Sequence, residues 1–162
     1  MRWPGVVAAI VLVSLLATAS DVSLSLDRDP IAVTREVIEG AESSLEAVVY
    51  KFDEKSLLEP LERALARGVR VRMVADAGEA KRGRSRTKAL SKAGAEIRPW
   101  KPGKLHAKFL IVDGKRVLSG SYNWTESAEN RNVELLLDFD APDVVKAFGQ
   151  RFERLWDLAA EQ

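Results

Sequence analysis

The sequence contains no cysteine. That excludes disulfides, thiolate catalysis and zinc sites built on sulfur, and leaves the redox compartment open. It contains one histidine, His106. No multi-histidine metal site can therefore form within a single chain. Net charge is also scarce: 25 Lys and Arg stand against 24 Asp and Glu, a formal +1. No global field draws the chain to an acidic partner. Long apolar runs are missing too. The apolar stretch from Trp3 to Ala19 has 17 residues and includes Ser14 and Thr18, which is marginal for spanning a bilayer.

That stretch reads instead as a secretory signal peptide. Arg2 precedes the hydrophobic core Val6–Leu16, and Ala17-Thr18-Ala19 supplies a small-x-small cleavage site. The expectation is an exported protein, periplasmic or secreted. The alternative is an uncleaved membrane anchor formed by residues 3–19. Residues 20–29 are a polar lead-in, and residues 30–162 form one domain, a size at which 46% hydrophobic residues supply an ordinary core.

The pattern along that domain alternates helices and strands, then turns to a hairpin. Pro30 to about Ala41 has helical apolar spacing. Leu45–Tyr50 (LEAVVY) reads as a buried strand. Ser56 with Glu59 gives a capping-box pattern for a helix running to Arg67 and stopped by Gly68. Val69–Ala75 alternates as a strand. A helix is expected over Ser85–Lys92 and a short strand over Glu96–Pro99. His106–Val112 and Arg116–Ser119 read as paired strands joined at Asp113-Gly114, a strong hairpin signal. Val133–Phe139 is a further strand, and the last helix starts at Pro142. The expected fold class is α/β: a mixed β-sheet flanked by helices.

Charge is local where it occurs. From Lys81 to Lys104 there are nine basic residues and one acid, Glu96. Such a run either attracts a polyanion or is a solvated face. It leads into the informative stretch, residues 105–134. A lone histidine in a strand is usually structural, but His106 and Lys108 are spaced i, i+2, so on a strand an imidazole and an ammonium leave the same face. Asp113 follows in the turn, then Gly120-Ser121 and Asn123, with Asn132 and Glu134 beyond.

The full string, His-x-Lys-x4-Asp-x6-Gly-Ser-x-Asn, resembles the signature of the phospholipase D superfamily. The order AVVYKF, helix, RGVRVRMVAD, basic link and His-Lys strand is similar to its small single-motif branch. That branch includes a secreted bacterial endonuclease and mitochondrial cardiolipin hydrolase-like nucleases. The resemblance covers about residues 30–160 and implies a phospholipase D/nuclease-like fold with one such motif per chain.

The residues suit phosphodiester cleavage. Lys108 and the Asn123 amide are donors for the charge that builds on phosphoryl oxygens. Neutral His106 is a competent nucleophile, and attack on phosphorus gives a phosphohistidine that water resolves. A Glu134 carboxylate accepting the other ring N–H would fix the tautomer, a role that the resemblance also implies. Ser121 either joins this network or forms the turn beside Gly120. Asp113, the third letter of the string, suits a structural turn better than chemistry.

In-line displacement also needs an acid for the leaving oxygen, and one imidazole cannot act on both sides in one step. The resemblance supplies an answer: single-motif members form a homodimer with a shared active site, so His106 of a second copy would be the general acid. No metal is required, since Lys108 and its symmetry mate would supply the positive charge, and a chain with no Cys and one His has few metal ligands apart from carboxylates; no cofactor is expected. Beyond a second copy of itself, no protein partner is indicated.

For substrate, nucleic acid is the first expectation. Lys104 and the basic run would track a phosphate backbone, and Trp124 or Trp100 would stack on a base, unless both are packing residues. Anionic phospholipid, including cardiolipin, is the alternative. A non-enzymatic dimer with a vestigial site is a third.

Overall fold

The computed structural model describes residues 22–24, 29–126, 128 and 132–160, with side chains from residue 29 onward. The signal peptide expected at residues 1–19 lies outside the described residues.

Among the described residues twelve elements are defined, beginning with β1 (Val22–Leu24), α1 (Pro30–Glu39), β2 (Ser44–Val49), α2 (Lys55–Ala66), β3 (Arg70–Asp76) and α3 (Ala77–Ala80). Then follow α4 (Thr87–Lys92), β4 (Glu96–Trp100), β5 (Phe109–Val112), β6 (Arg116–Gly120), β7 (Leu136–Phe139) and the long α5 (Pro142–Ala160). The seven strands form one sheet in the order β1-β7-β6-β5-β2-β3-β4. β2, β3 and β4 run parallel, and β5, β6, β7 and β1 add antiparallel neighbours. The mixed sheet flanked by helices is the fold class expected from the sequence.

Alternation places the core. Along β2, Leu45, Ala47 and Val49 face the α1–α2 layer, joined by Val71, Met73 and Ala75 from β3 and by Leu110 and Val112 from β5. Their neighbours Val48, Val74, Ile111 and Val117 point to the other face, where Val145, Phe152, Leu155 and Trp156 of α5 cover them. Each fully buried aliphatic side chain of this kind contributes about 1.5–3 kcal/mol. The alternating Arg of β3 has a structural reason. Arg72 lies on the α5 face, paired with Glu46 at 3.0 Å and with Glu153, and stacked on the rings of Phe152 and Trp156.

The hairpin turn is as read. Asp113 and Gly114 both take positive φ, 54° and 61°, as a tight turn between twisted strands requires. The Lys115 N–H closes it on the Val112 carbonyl at 2.9 Å.

Several boundaries differ from expectation: the polar lead-in contributes β1, paired with β7, the helix expected from Ser85 starts at Thr87, and three further differences bear on the site. The helix expected from a Ser56 cap starts at Lys55, because the Glu54 carboxylate accepts the Ser56 N–H at 2.8 Å while the Trp124 carbonyl takes the Asp53 and Glu54 N–H groups. The strand expected from His106 starts at Phe109. The strand expected from Val133 starts at Leu136, and the Val133 side chain is fully exposed.

Gly120 answers a close approach. A Cβ there would stand 2.0 Å from the Leu135 carbonyl oxygen, so only glycine lets β6 and the chain before β7 pass at this distance.

Candidate active site

The parallel strands β2 and β3 end on the same side of the sheet, and the segment 101–108 crosses in front of them before entering β5. Ligand sites in open α/β sheets gather at such carboxyl ends. The backbone of this segment is pinned by side chains rather than by a strand ladder. Asp76, at the end of β3 and 7% exposed, accepts the Leu105 N–H on Oδ2 at 3.0 Å. Its other oxygen accepts the Gly78 and Glu79 N–H groups and so caps α3. The Leu105 side chain is buried under α5. The Ser119 hydroxyl donates to the Lys108 carbonyl at 3.1 Å. His106 therefore projects from a short bracket fixed at both ends, which explains why it lies outside β5 yet is held.

His106 is exposed, and its ring meets the Lys108 ammonium, which lies 3.3 Å from Nδ1 and 3.5 Å from Nε2. Lys108 Nζ also donates to the His106 carbonyl at 2.8 Å. The side-by-side presentation expected from i, i+2 spacing is present. Lys108, then burial, then Lys104 and Lys51 hold the imidazole pKa below its ordinary value. A shift in this direction favours the neutral ring at neutral pH. The Lys108 pKa is lowered by burial, with Glu134 opposing and Lys104 adding to the shift.

Glu134 does not take the role assigned to it within one chain. Its carboxylate accepts the Ser121 hydroxyl and, at 2.8 Å, the Asn132 amide, rather than the His106 ring. It acts on the site as a negative charge facing Lys108. Ser121 both donates to Glu134 and accepts the Leu135 N–H at 3.0 Å, so it belongs to the network and to the turn at once. Asn123 lies in the segment whose Trp124 N–H and carbonyl bind the chain at Lys51–Glu54, just beyond the end of β2. The Asn123 amide oxygen is buried and has no hydrogen-bond partner among the described residues.

Asp113 stands at the far end of β5 from His106. Its carboxylate accepts the N–H groups of Glu42, Ser43 and Ser44 and the Ser43 hydroxyl, at 2.7 to 3.2 Å. It locks the hairpin turn to the start of β2 and contributes no group to the His106 cluster. Trp124 is 5% exposed and packs edge-on against Phe52, so the stacking role considered for it gives way to core packing. Trp100 likewise packs against the α5 core.

The basic run divides. Arg82 pairs with Glu79 and Arg84 with Asp53, both at 3.0 Å, Arg86 donates to the Asp53 carbonyl and Arg98 to the Trp156 carbonyl. Lys104 does join the site, with its ammonium 4.8 Å from the Tyr50 ring centre. Tyr50, Lys51 and Asp76 were not anticipated. Their signal in the sequence was their place in the strings AVVYKF and RGVRVRMVAD, at or just beyond the ends of two parallel strands. Among the described residues, no group of three His, Asp or Glu is arranged to hold a metal ion.

Comparison with known proteins shows the family to which the chain belongs. The family described as "Cardiolipin synthase, PLD-like domain" matches residues 34–156. The mitochondrial cardiolipin hydrolase of Xenopus tropicalis is 41% identical over 117 residues, 72% of this chain and 56% of that protein. The human protein of the same name is 36% identical over 118 residues, 72% of this chain and 47% of its own length. The chain thus spans about half the length of these relatives. Among solved structures, NucT from Helicobacter pylori superposes with a TM-score of 0.79 at 22% identity, covering 85% of this chain and 96% of that one. Nuc from Salmonella typhimurium, described as a phospholipase D family member, gives 0.76 at 26% identity, covering 86% and 94%.

Proposed function

We propose that this chain, which belongs to the phospholipase D superfamily, is a phosphodiester hydrolase in which His106 is the covalent nucleophile. The observation that carries the reading is the His106–Lys108 contact at 3.3 Å, on a bracket pinned by Asp76 and Ser119. A neutral ring nitrogen of His106 attacks phosphorus, the P–O bond to the leaving alkoxide breaks, and the phosphohistidine is then hydrolysed by water. Lys108 meets the charge on the non-bridging oxygens, and Asn123 is the candidate second donor. Glu134, through Ser121 and Asn132, keeps a carboxylate facing Lys108.

The leaving alkoxide needs a proton that the attacking imidazole cannot give. The reading is completed by a twofold homodimer in which His106 of the second copy is the general acid, so that each site carries two imidazoles and two Lys108 ammonium groups. The reaction needs no metal in this scheme, because these ammonium groups carry the positive charge. Export through residues 1–19 belongs to the same reading. No helix of the described residues is long and apolar enough to cross a membrane.

A non-specific endonuclease is the first substrate reading, supported by an exposed imidazole with Lys51, Lys104 and Lys108 around it. Hydrolysis of cardiolipin or another anionic phospholipid is the second, favoured by the name of the 41% identical relative.

The test is cleavage of single- and double-stranded oligonucleotides and of cardiolipin vesicles in excess EDTA, with His106→Ala in parallel. The expected result is cleavage that survives EDTA and falls by about 10⁴ or more in the variant, as for other covalent nucleophiles. Loss of parental cleavage in EDTA would overturn the metal-free scheme. Vesicle turnover without oligonucleotide turnover would replace the nuclease reading with the lipid one.

A further inference from the structure

The Tyr50 ring lies among all the cations of the site. Its centre is 4.8 Å from the imidazole centre of His106, and 4.8, 5.3 and 5.7 Å from the ammonium nitrogens of Lys104, Lys51 and Lys108. These groups do not depend on it equally. Lys108 is also held by the His106 carbonyl and ring. Lys51 is the chain neighbour of Tyr50. Lys104 is exposed, follows Gly103 in its positive-φ turn, and has the Tyr50 face as its described contact. Tyr50 itself is oriented from two elements. It leaves the end of β2, and its hydroxyl donates to Glu79 Oε1 at 3.4 Å, while Glu79 pairs with Arg82. Two ammonium groups beside one imidazole repel each other, and the negative face of an aromatic ring is a group that can keep the second one there.

We propose that Tyr50 is a positioning residue whose ring face holds the Lys104 ammonium beside His106, as a contact for a phosphate oxygen separate from Lys108. The groups facing His106 are Lys51 from the end of β2, Lys104 and Lys108 from its own segment, and the Tyr50 ring. Glu134 faces Lys108, and Glu79 faces the Tyr50 hydroxyl. The proposal rests on the reading of His106 as the reacting group only for its consequence on turnover. The contact itself is read out without any substrate.

Because His106 is the only histidine, its imidazole resonances titrate without overlap. The experiment is a double-mutant cycle on that titration, Tyr50→Leu against Lys104→Met. In the parent and in Tyr50→Phe, Lys104→Met removes a nearby positive charge and raises the imidazole midpoint. In Tyr50→Leu, where nothing holds Lys104, the same substitution shifts the midpoint by a small fraction of that amount. Tyr50→Met, equally lacking a ring, runs the same cycle if the leucine variant does not fold. In steady state, Tyr50→Leu raises KM roughly two- to fivefold with kcat unchanged, the weight of one exposed charge contact. An equal effect of Lys104→Met with and without the ring overturns the proposal. If His106→Ala keeps its turnover while the cycle shows coupling, it is the nucleophile reading that fails and the positioning contact that stands.

Discussion

The two ends of β5 carry the two halves of one sequence string, and they do opposite work. At the entry, the exposed His106 and the half-buried Lys108 stand in a segment outside the strand, with positive charge crowded on an imidazole whose pKa is held down. At the exit, Asp113 is saturated: three backbone N–H groups and a hydroxyl converge on its carboxylate and tie the hairpin to β2. Charge left partly unanswered is available for a substrate, and charge fully answered holds a fold. Letters that are neighbours in a signature need not be neighbours in a mechanism.

The largest effect that separates the two ends is on rate. Lys108→Met should lower kcat by about 10²–10³, the usual weight of a donor to transition-state charge. Its stability should change little, because Lys108 carries a desolvation cost that methionine does not have. Comparable losses of rate and of urea midpoint would show that Lys108 is also a fold residue and would erase the contrast.

The converse substitution is Asp113→Ala. It leaves the Glu42, Ser43 and Ser44 N–H groups without their acceptor and should cost about 2–3 kcal/mol of stability, since hydrogen bonds to a charged group are worth about 1.5–3 kcal/mol and water recovers part of the loss. Turnover per folded molecule should stay within about twofold, because Asp113 lies a whole strand from His106. Denaturant unfolding and active-fraction kinetics on the same preparation check both statements. A rate loss that persists after correction for folded fraction would return Asp113 to the chemistry.

Much of this contrast was legible in the sequence. Strand alternation, the Asp113-Gly114 turn and the structural leaning of Asp113 follow from local rules of period and turn chemistry. The start of β5 did not, because what ends the ladder there is remote. Asp76, 29 residues earlier, takes the Leu105 N–H, and Ser119, 11 residues later, takes the Lys108 carbonyl. No local propensity reports such partners. Trp124 was open between base platform and packing residue, and what decides for packing is again remote: its main chain pairs with Lys51–Glu54 and its ring meets Phe52 edge-on. Tyr50 lies in the quoted string AVVYKF, but its place beside the site appears only when the end of β2 and the 101–108 segment are brought together.

The finest separation of the two ends is by acid. Burial opposes ionisation of Asp113, but the Ser44, Glu42 and Ser43 N–H groups and the Ser43 hydroxyl outweigh it and set its pKa below the ordinary carboxyl value. For a carboxylate depressed in this way, its stabilisation is complete above the unfolded-state pKa and disappears as pH falls through the lower folded-state value. His106 is depressed from a much higher starting point, chiefly by Lys108. Acidification should therefore meet His106 first: kcat/KM falls as the imidazole takes its proton and loses its nucleophilic lone pair, while the Asp113 lock is still ionised and the chain still folded. That loss should be fully reversible and should begin below the pH expected for an ordinary histidine. Only at lower pH, through the carboxyl range, should the urea midpoint drop by the share that Asp113 contributes, and this share should be missing in Asp113→Asn. Parallel pH series of kcat/KM and urea midpoint for the parent and Asp113→Asn measure both limbs. If activity and stability fell together over one pH range in the parent, the entry and exit of β5 would be coupled, and the division of the string into a reacting half and a holding half would not survive.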